Sequence, residues 1–215
     1  VELIQSGMVK PEDTARFVGH IHEEATRLLA LIGDIIRLSQ LDEAAEDGEL
    51  AGMTRENVDL CAVSTEVIRE LTDAAAKRNV TFTLSGTSVA VYGVRRLVYE
   101  VIYNLCDNAI RYNRDNGSVT VMVSAADGMG VVSVADTGIG IAPENRDRIF
   151  ERFYRVDKSH SRATGGTGLG LSIVKHAVQY LHGKIALDSK PGSGSTFTVS
   201  LPQSGAGSPN SQNHA

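Results

Sequence analysis

The sequence predicts an α+β fold, because stretches with helical periodicity and short strand-like runs both occur throughout the chain of 215 residues. Apolar residues recur at steps of three and four in the stretches 12–45, 60–77, 95–112 and 168–183. β-Branched and other apolar residues concentrate in shorter runs at 80–84, 89–92, 119–123, 131–134, 184–188 and 195–201. A chain of this size can bury a core without a metal or a disulfide.

The stretch 12–45 is predicted to be one long amphipathic helix. Its apolar stripe consists of Phe17, Ile21, Leu28, Leu31, Ile32, Ile35 and Leu38. This stripe is wider than one neighbouring domain would cover, so the helix predicts a homodimer. Residues 1–9 have helical character and end before a stop at Pro11. The stretch 43–52, rich in Glu, Asp, Ala and Gly, indicates a linker with a domain boundary near Gly48.

Charge and composition exclude several classes of function. The net charge is −5 with Lys and Arg scattered, so no nucleic-acid partner is expected. Cys61 and Cys106 lack the spacing of a metal site and are predicted to be buried free thiols. No apolar run reaches the roughly 20 residues of a membrane span, so no membrane contact is expected. Because the chain begins at Val1 within a helix-like run, we expect the cytoplasmic part of a membrane-anchored protein, with a disordered tail at 203–215.

Polar side chains form a stripe along the predicted helix 95–112. Glu100, Asn104, Asn108 and Arg111 are spaced by three or four residues and therefore lie on one face. A solvated helix face is an alternative, although such faces favour Glu and Lys over two Asn residues, because Asn is a poor helix former. The stripe by itself leaves both a ligand-binding face and a solvated face open.

A second motif follows the predicted hairpin of 119–123 and 131–134, which turns at 127–128. Its second strand leads into the turn Asp136-Thr137-Gly138-Ile139-Gly140-Ile141. The carboxylate of Asp136 can accept a hydrogen bond from an exocyclic amine, and the glycines let a planar ligand approach the backbone. A tight loop without a ligand is the alternative.

A third motif opens the last predicted helix with the sequence Gly165-Gly166-Thr167-Gly168-Leu169-Gly170-Leu171. Free backbone N–H groups and the positive end of the helix dipole at such a start favour an anion, and phosphate is the natural guest. The motif is not a Walker A loop, because no Gly-Lys-Ser or Gly-Lys-Thr follows. It also lacks the strand-turn-helix order of a dinucleotide-binding fold.

Four segments together resemble the N, G1, F and G2 boxes of sensor histidine kinases, in that family's order and spacing. They are Asn104-Leu105-Cys106-Asp107-Asn108-Ala109, Asp136-Thr137-Gly138-Ile139-Gly140, Phe150-Glu151-Arg152-Phe153-Tyr154-Arg155 and Gly166-Thr167-Gly168-Leu169-Gly170. The resemblance extends from the N-terminal helix through 192–197. Four boxes in order are far more specific than any one glycine-rich loop.

This resemblance implies a two-layer α/β sandwich of the GHKL ATPase type, in which three helices back a mixed sheet and a flexible lid covers ATP. The lid would be 143–167, with Phe150 and Phe153 anchoring it. The ATP-binding domain would occupy 53–202. Residues 1–47 would be the remnant of a helical-hairpin dimerisation and phosphotransfer segment whose first helix is mostly missing.

The same resemblance implies a role for each motif residue. Asn104 would hold Mg²⁺ and phosphate oxygens, and Glu100 would polarise the attacking group. Asp136 would bind the adenine amine, and Tyr112 would flank the ring. Phosphate contacts are implied for Asn108, Arg111 and the lid residues Arg155 and Arg162. The other implied ATP contacts are Gly138, Gly140, Ile141, Gly166, Thr167, Gly168, Leu169 and Gly170.

The implied reaction moves the γ-phosphate of ATP to a histidine of the dimerisation domain, and onward to an aspartate of a response-regulator receiver domain. The run His22-Glu23-Glu24-Ala25-Thr26 mimics the start of the family's acceptor box, but Arg27 stands where proline normally follows. Residues 28–41 resemble the end of the second bundle helix. We therefore expect His22 to be a decoy, with the true acceptor preceding Val1, so that this chain cannot phosphorylate itself.

Two rival functions come from different classes. Topoisomerase, mismatch-repair and chaperone ATPases use a glutamate at the Glu100 position to activate water, but they carry a transducer domain after the last strand, which we do not expect here. A non-enzymatic ATP-binding interaction module should show a damaged N or G2 box, and both boxes are intact in this sequence.

Overall fold

A long helix, α1 (Pro11–Asp47), leads into a layered α/β unit. The computed structural model describes residues 10–47, 53–156 and 167–204. The helix predicted over 12–45 is confirmed. It extends as far as Asp47 because Glu and Ala, which dominate its last turns, are good helix formers. The linker predicted from residue 43 therefore begins later. Residues 1–9 and the predicted boundary at Gly48 lie outside the described residues.

The strands of the described residues are β1 (Glu56–Asp59), β2 (Thr81–Gly86), β3 (Ala90–Gly93), β4 (Ser118–Ala126), β5 (Met129–Asp136), β6 (Lys184–Lys190) and β7 (Gly194–Pro202). Five of these described strands form the main sheet, in the order β2-β4-β5-β7-β6. β2 runs parallel to β4, whereas the other neighbouring pairs are antiparallel. The mixed sheet expected from the resemblance is therefore confirmed.

β1 and β3 pair separately as an antiparallel ribbon, with Val58 opposite Val91. The sequence pattern does not predict β1, because Val58 is its only apolar residue and its extended form depends on pairing with β3. β1 ends at Asp59, whose Oδ1 accepts hydrogen bonds from the backbone N–H groups of Cys61 at 2.8 Å and Ala62 at 3.1 Å. This side chain caps the next helix and fixes where it begins.

The helices α2 (Leu60–Ala76), α3 (Arg95–Arg111) and α4 (Gly170–Tyr180) cover one face of the main sheet. Inward-facing residues alternate along the strands, so that Val119, Val121 and Val123 are buried while Thr120 and Met122 are exposed. α3 packs directly on the sheet, since a small cavity is lined by Ile102, Leu105, Val132, Val199 and Leu201. This arrangement is the predicted two-layer sandwich.

Burial of the two cysteines differs. Cys106 is fully buried on α3, and burial raises the pKa of its thiol to about 12. Cys61 is only half-buried because it lies near the start of α2. Both are free thiols, as predicted, but complete burial holds for Cys106 alone of the two.

The hairpin between β4 and β5 turns at Asp127 and Gly128, as predicted. Both residues have positive φ values, 51° and 72°, which suit a two-residue hairpin turn. The chain after β7 returns to this turn, where Gln203 N donates to Gly128 O at 3.0 Å and Ser204 N donates to Ala90 O at 3.1 Å. The tail predicted to be disordered from 203 therefore begins with two bonded residues, and 205–215 lie outside the described residues.

The second half of α1 packs on the sandwich, mainly against α4. Leu38 and Leu41 are each only 3% exposed there. Most other large apolar residues of α1 remain exposed: Phe17, Val18, Ile21, Leu28, Leu29, Ile32, Ile35 and Ile36. The predicted apolar stripe is thus divided, because Leu38 contacts the sandwich whereas the remainder mostly faces away from it.

Candidate functional site

The polar stripe of α3 is not a solvated face. Glu100 is only 7% exposed, and Asn104, Asn108 and Arg111 are half-buried. Asn104 Nδ2 donates to the Glu100 backbone oxygen at 2.8 Å, which orients the amide. Arg111 Nε donates to Asp107 Oδ2 at 2.6 Å, which holds the guanidinium at the C-terminal end of the helix.

α3 meets the start of α4 at Asn104. A Cβ atom placed on Gly170 would lie 2.7 Å from Asn104 Oδ1, closer than carbon and oxygen normally approach. The absence of a side chain at Gly170 therefore lets the amide oxygen lie against the first turn of α4. Two motifs separated by more than 60 residues in sequence are thereby brought into direct contact.

Asp136 is placed by the sheet, at the end of β5 opposite Ser195 of β7. Its Oδ1 accepts hydrogen bonds from Gly138 N at 2.8 Å and Ser195 N at 3.3 Å. Burial raises the pKa of Asp136, and these two backbone hydrogen bonds oppose that rise. Among the described residues no hydrogen bond to Oδ2 is present, so this oxygen can accept from a ligand.

The turn after Asp136 is joined to the end of α3 through the backbone of Tyr112. Ile139 N donates to Tyr112 O at 3.1 Å, and a Cβ atom on Gly138 would lie 2.3 Å from the same oxygen. Gly138 is therefore needed for close packing. The Tyr112 side chain is 41% exposed beside this turn, and its predicted role of flanking adenine stays a prediction.

A pair of buried serines supports the other side of the turn, and sequence reasoning missed it. Ile141 N donates to Ser189 Oγ at 2.8 Å, and that hydroxyl donates to Gly194 O at 3.0 Å. Ser195 Oγ lies 2.9 Å from Ser189 Oγ. Gly140 has φ of +70° and its backbone passes against Lys190 O. The available signal was the polar residue Ser189 within a strand.

The glycine-rich motif leads into α4, which begins at Gly170 rather than near residue 168 as predicted. Thr167 Oγ1 accepts a hydrogen bond from Leu169 N at 3.3 Å. Gly168 has φ of +76°, and its carbonyl accepts from Phe153 N at 3.0 Å. Leu169 is completely buried and anchors the motif. Its backbone thus lies between the lid and α3.

The described part of the predicted lid contains two short 3-10 helices, Pro143–Asn145 and Arg148–Phe150. Phe150 packs edge-on against Phe197, with ring centroids 6.4 Å apart, and therefore anchors the lid as predicted. Phe153 does not, because its side chain is 58% exposed. Arg155 lies beside Gly168. The predicted site residues Arg162 and Gly166 lie outside the described residues.

Charged residues of α1 also reach the site, which sequence reasoning missed. Arg37 Nη1 lies 3.0 Å from Glu100 Oε1. Asp34 Oδ2 accepts a hydrogen bond from Thr167 Oγ1 at 2.8 Å. Asp42 pairs with Arg152, whose Nη2 lies 2.6 Å from Oδ2. No local pattern predicts these pairings, because each joins residues far apart in the chain.

The donor set fits Mg²⁺ and a nucleoside triphosphate. Mg²⁺ prefers oxygen ligands and retains several waters, so the Asn104 amide oxygen together with phosphate oxygens is a sufficient protein contribution. α4 begins directly after the glycine-rich motif, and the unpaired backbone N–H groups of a helix start favour an anion. Asp136, at the opposite end of the site, offers a carboxylate oxygen for an exocyclic amine. The two ends are linked through α3, from Asn104 to Tyr112.

Comparison with known proteins agrees with this geometry. Residues 93–205 match the family described as histidine kinase-, DNA gyrase B-, and HSP90-like ATPase. The chain belongs to this ATPase family. The matched segment contains α3, the Asp136 turn, the lid and α4.

Sequence relatives extend the similarity into α1. The chain is 40% identical over 194 residues to the sensor-like histidine kinase SenX3 of Mycolicibacterium smegmatis, covering 90% of this chain and 49% of the relative. It is 39% identical over 184 residues to the sensor histidine kinase RppB of Synechocystis, covering 85% of this chain and 39% of the relative. The chain therefore spans less than half the length of either relative.

Solved structures show the same architecture. The Acinetobacter baumannii histidine kinase AdeS aligns with a TM-score of 0.75 and 27% identity, covering 94% of this chain and 90% of that one. Full-length ShkA in complex with AMPPNP aligns with a TM-score of 0.74 and 26% identity, covering 92% of this chain and 40% of that one. Among the described residues, no helix of the ATPase has the length and apolarity of a membrane span.

Proposed function

We propose that this ATPase-family chain transfers the γ-phosphate of ATP to a histidine of a sensor-kinase dimerisation helix. The observation that carries the proposal is the contact between Asn104 and Gly170, because it brings an amide oxygen that would hold Mg²⁺ to a helix start that would hold an anion. A domain at 53–202 would bind the nucleotide, and 1–47 would belong to a dimerisation and phosphotransfer segment.

Asn104 is assigned to Mg²⁺ and to the phosphate oxygens, and the backbone around Gly168, Leu169 and Gly170 to the phosphates. Asn108 and Arg111 lie further along the same helix face, where they would contact the remaining phosphate oxygens. Arg155, whose Cγ lies beside Gly168, would add positive charge from the lid. Phosphoryl transfer mainly requires positioning and charge neutralisation, which this set supplies.

Asp136 is assigned to the adenine amine. Two backbone donors orient its Oδ1, so Oδ2 accepts from the ligand without rearrangement. The glycines at 138 and 140 and the backbone of Ile141 would form the floor under the ring, and Tyr112 would flank it. Two buried serines hold this floor to β6 and β7.

Glu100 is assigned the role of base. Its buried carboxylate would accept the N–H of the acceptor imidazole and orient the other ring nitrogen towards the phosphate. Mg²⁺, when bound, would neutralise phosphate charge. The bond from the γ-phosphorus of ATP to the β,γ-bridging oxygen would break and release ADP as the imidazole nitrogen bonds to that phosphorus, and Glu100 would take up the imidazole N–H proton. The neutral imidazole is the nucleophile.

The partners follow from the same assignment. Exposed apolar residues of α1 would pair with a second copy of this chain, and the phosphohistidine would donate to an aspartate of a response-regulator receiver domain. The named relatives are sensor histidine kinases, which supports both partners in general. His22 is not assigned as the acceptor, because Arg37, which contacts Glu100, lies roughly 22 Å further along α1.

Calorimetry of ATP binding with and without Mg²⁺ tests the site. Asn104→Ala should abolish most of the Mg²⁺-dependent part of the affinity, whereas the exposed Asn57→Ala on β1 should bind as wild type. Equal affinities in all three proteins would overturn the site assignment. Transfer from γ-labelled ATP to a separately supplied two-helix acceptor bundle tests the reaction, and ATP binding without any transfer would favour a non-enzymatic binding module.

A further inference from the structure

α1 contacts the candidate site through one face of its second half. Asp34, Arg37, Leu38, Leu41 and Asp42 recur at three- and four-residue steps, so they lie along one side of the helix. The two leucines are buried against the sandwich, and the three charged residues each contact a residue of the ATPase domain. The position of α1 is therefore tied to groups that the proposed reaction uses.

The contact at Glu100 is the most consequential of these. Its Oε1 lies 3.0 Å from Arg37 Nη1 and 3.4 Å from Arg96 Nε, and its side chain is only 9% exposed. Two guanidinium groups thus share one oxygen of the carboxylate. A base paired in this way cannot accept an imidazole N–H at that oxygen unless a guanidinium moves away.

Arg37 is the partner that can move with α1. Arg96 belongs to α3 itself, four residues before Glu100, so it stays beside the carboxylate in any position of α1. Arg37 reaches it from a separate element across a cleft lined by Gln40, Leu41 and Met53. Withdrawal of α1 would therefore expose Glu100 without disturbing α3.

The contact between Asp34 and Thr167 would also favour withdrawal of α1 when phosphate is bound. The Thr167 hydroxyl donates to Asp34 Oδ2 at 2.8 Å and accepts from Leu169 N at 3.3 Å. A carboxylate of α1 is thus linked, through one hydroxyl and two hydrogen bonds, to a backbone N–H that is assigned to phosphate. A bound phosphate and the Asp34 carboxylate would repel each other, because both are negative.

We infer that Arg37 is a positioning residue that keeps Glu100 paired in a resting arrangement of α1, and that phosphoryl transfer requires this pair to open. The inference rests on the proposed function of Glu100 as the base. Arg37 would thus control the rate of phosphoryl transfer without controlling nucleotide binding.

The test is transfer of label from γ-labelled ATP to a separate acceptor bundle, with kcat and the KM for ATP measured for each variant of the full chain. Arg37→Gln removes the charge and should raise kcat roughly three- to tenfold, the effect of losing one partly buried charged pair. The KM for ATP should change little. Arg37→Lys keeps the charge and should restore most of the wild-type kcat.

Arg27→Gln is the matched control, because Arg27 lies on the same helix and, among the described residues, forms an ion pair only with exposed Glu24, at 3.8 Å. It should leave kcat and the KM unchanged. A lower or unchanged kcat in Arg37→Gln, with the wild type active, would overturn this inference and leave the proposed function standing. Absence of transfer in every variant, wild type included, would overturn both.

Discussion

The backbone of Gly194 lies directly against the carbonyl of Asp136, so that a Cβ atom at residue 194 would be 1.9 Å from that oxygen. This contact joins β7 to the residue that is assigned to adenine. It also sets the register in which Asp136 lies opposite Ser195, whose N–H orients the carboxylate.

Gly194→Ala should therefore destabilise the domain by roughly 2–4 kcal/mol, because the clash adds to the strain of a φ value of +95°. Gly192→Ala is the matched control, since φ there is +78° but the nearest atom to an added Cβ is 3.9 Å away. It should cost only about 1–2 kcal/mol. Denaturant unfolding compares the two, and equal losses would show that the clash is relieved without cost.

Gly170→Ala should weaken ATP binding while leaving the fold intact. The added methyl group would displace the Asn104 amide, and displaced supporting groups typically cost roughly tenfold in metal affinity. Stability should change by less than about 1 kcal/mol, because alanine favours helices and the amide can shift. Calorimetry with Mg²⁺ and ATP measures the first effect. Gly33→Ala, with nothing within 4 Å, is the control and should bind normally.

Asp136→Asn should weaken ATP binding without destabilising the fold. The amide oxygen can still accept from Gly138 and Ser195, but the amide nitrogen would face the adenine amine donor to donor. ATP affinity should fall roughly tenfold or more, the usual loss for a hydrogen bond to a charged group. Fluorescence competition between ATP and a purine nucleotide without the amine should show that the variant no longer prefers ATP.

The stability of the same variant should depend on pH in a defined direction. Burial raises the pKa of Asp136 in the folded state, so the wild type gains stability as pH falls through that raised pKa. At neutral pH the variant should be at least as stable as the wild type, and its advantage should shrink on acidification. Thermal melts at several pH values measure this, and an advantage that grows on acidification would contradict it.

His22→Gln should leave every phosphorylation signal unchanged. His22 is exposed on α1, and its backbone oxygen accepts a hydrogen bond from Thr26 Oγ1 at 2.9 Å within an unbroken helix. Nothing in the contacts of α1 brings it towards Asn104 or Glu100 among the described residues. Acid-labile label on the wild-type chain that disappears in this variant would identify His22 as an acceptor after all.

The exposed apolar face of α1 predicts self-association that depends on concentration. Leu28 is 57% exposed and Ile32 is 52% exposed on this face. Ile32→Glu should raise the dimer dissociation constant roughly tenfold or more in sedimentation experiments, because a buried apolar contact is replaced by a charge. Arg27→Glu, which lies on the other side of the helix, should have little effect. ATP binding should be unchanged in both variants.

Much of this fold follows from local patterns. Strands such as β4 alternate apolar and polar residues because one face of the sheet is buried, and α3 is evident from its helical spacing. The candidate site could be proposed from the sequence where polar residues and glycines are concentrated in short motifs, as at Asn104 and Asp136. Each of these two residues lies on a helix or strand that the surrounding sequence already predicts.

Other features depend on contacts between distant segments. β1 is extended only because it pairs with β3, and the exposure of Phe153 follows from how the lid folds back on Gly168. The contact between Arg37 and Glu100 joins residues on separate helices. Local periodicity contains no information on such pairs, and side-chain type alone does not select one guanidinium over another.

α1 carries two stripes on a single unbroken helix. The residues from Asp34 to Asp42 that contact the ATPase domain and the exposed apolar residues around Leu28 and Ile32 point in directions about 140° apart, at about 100° per residue. A rotation of α1 about its axis that repacks one stripe must therefore turn the other stripe by the same angle. An input delivered at the far end of the helix as torsion would therefore arrive at Glu100 as a change in electrostatic pairing, without the helix bending or unfolding.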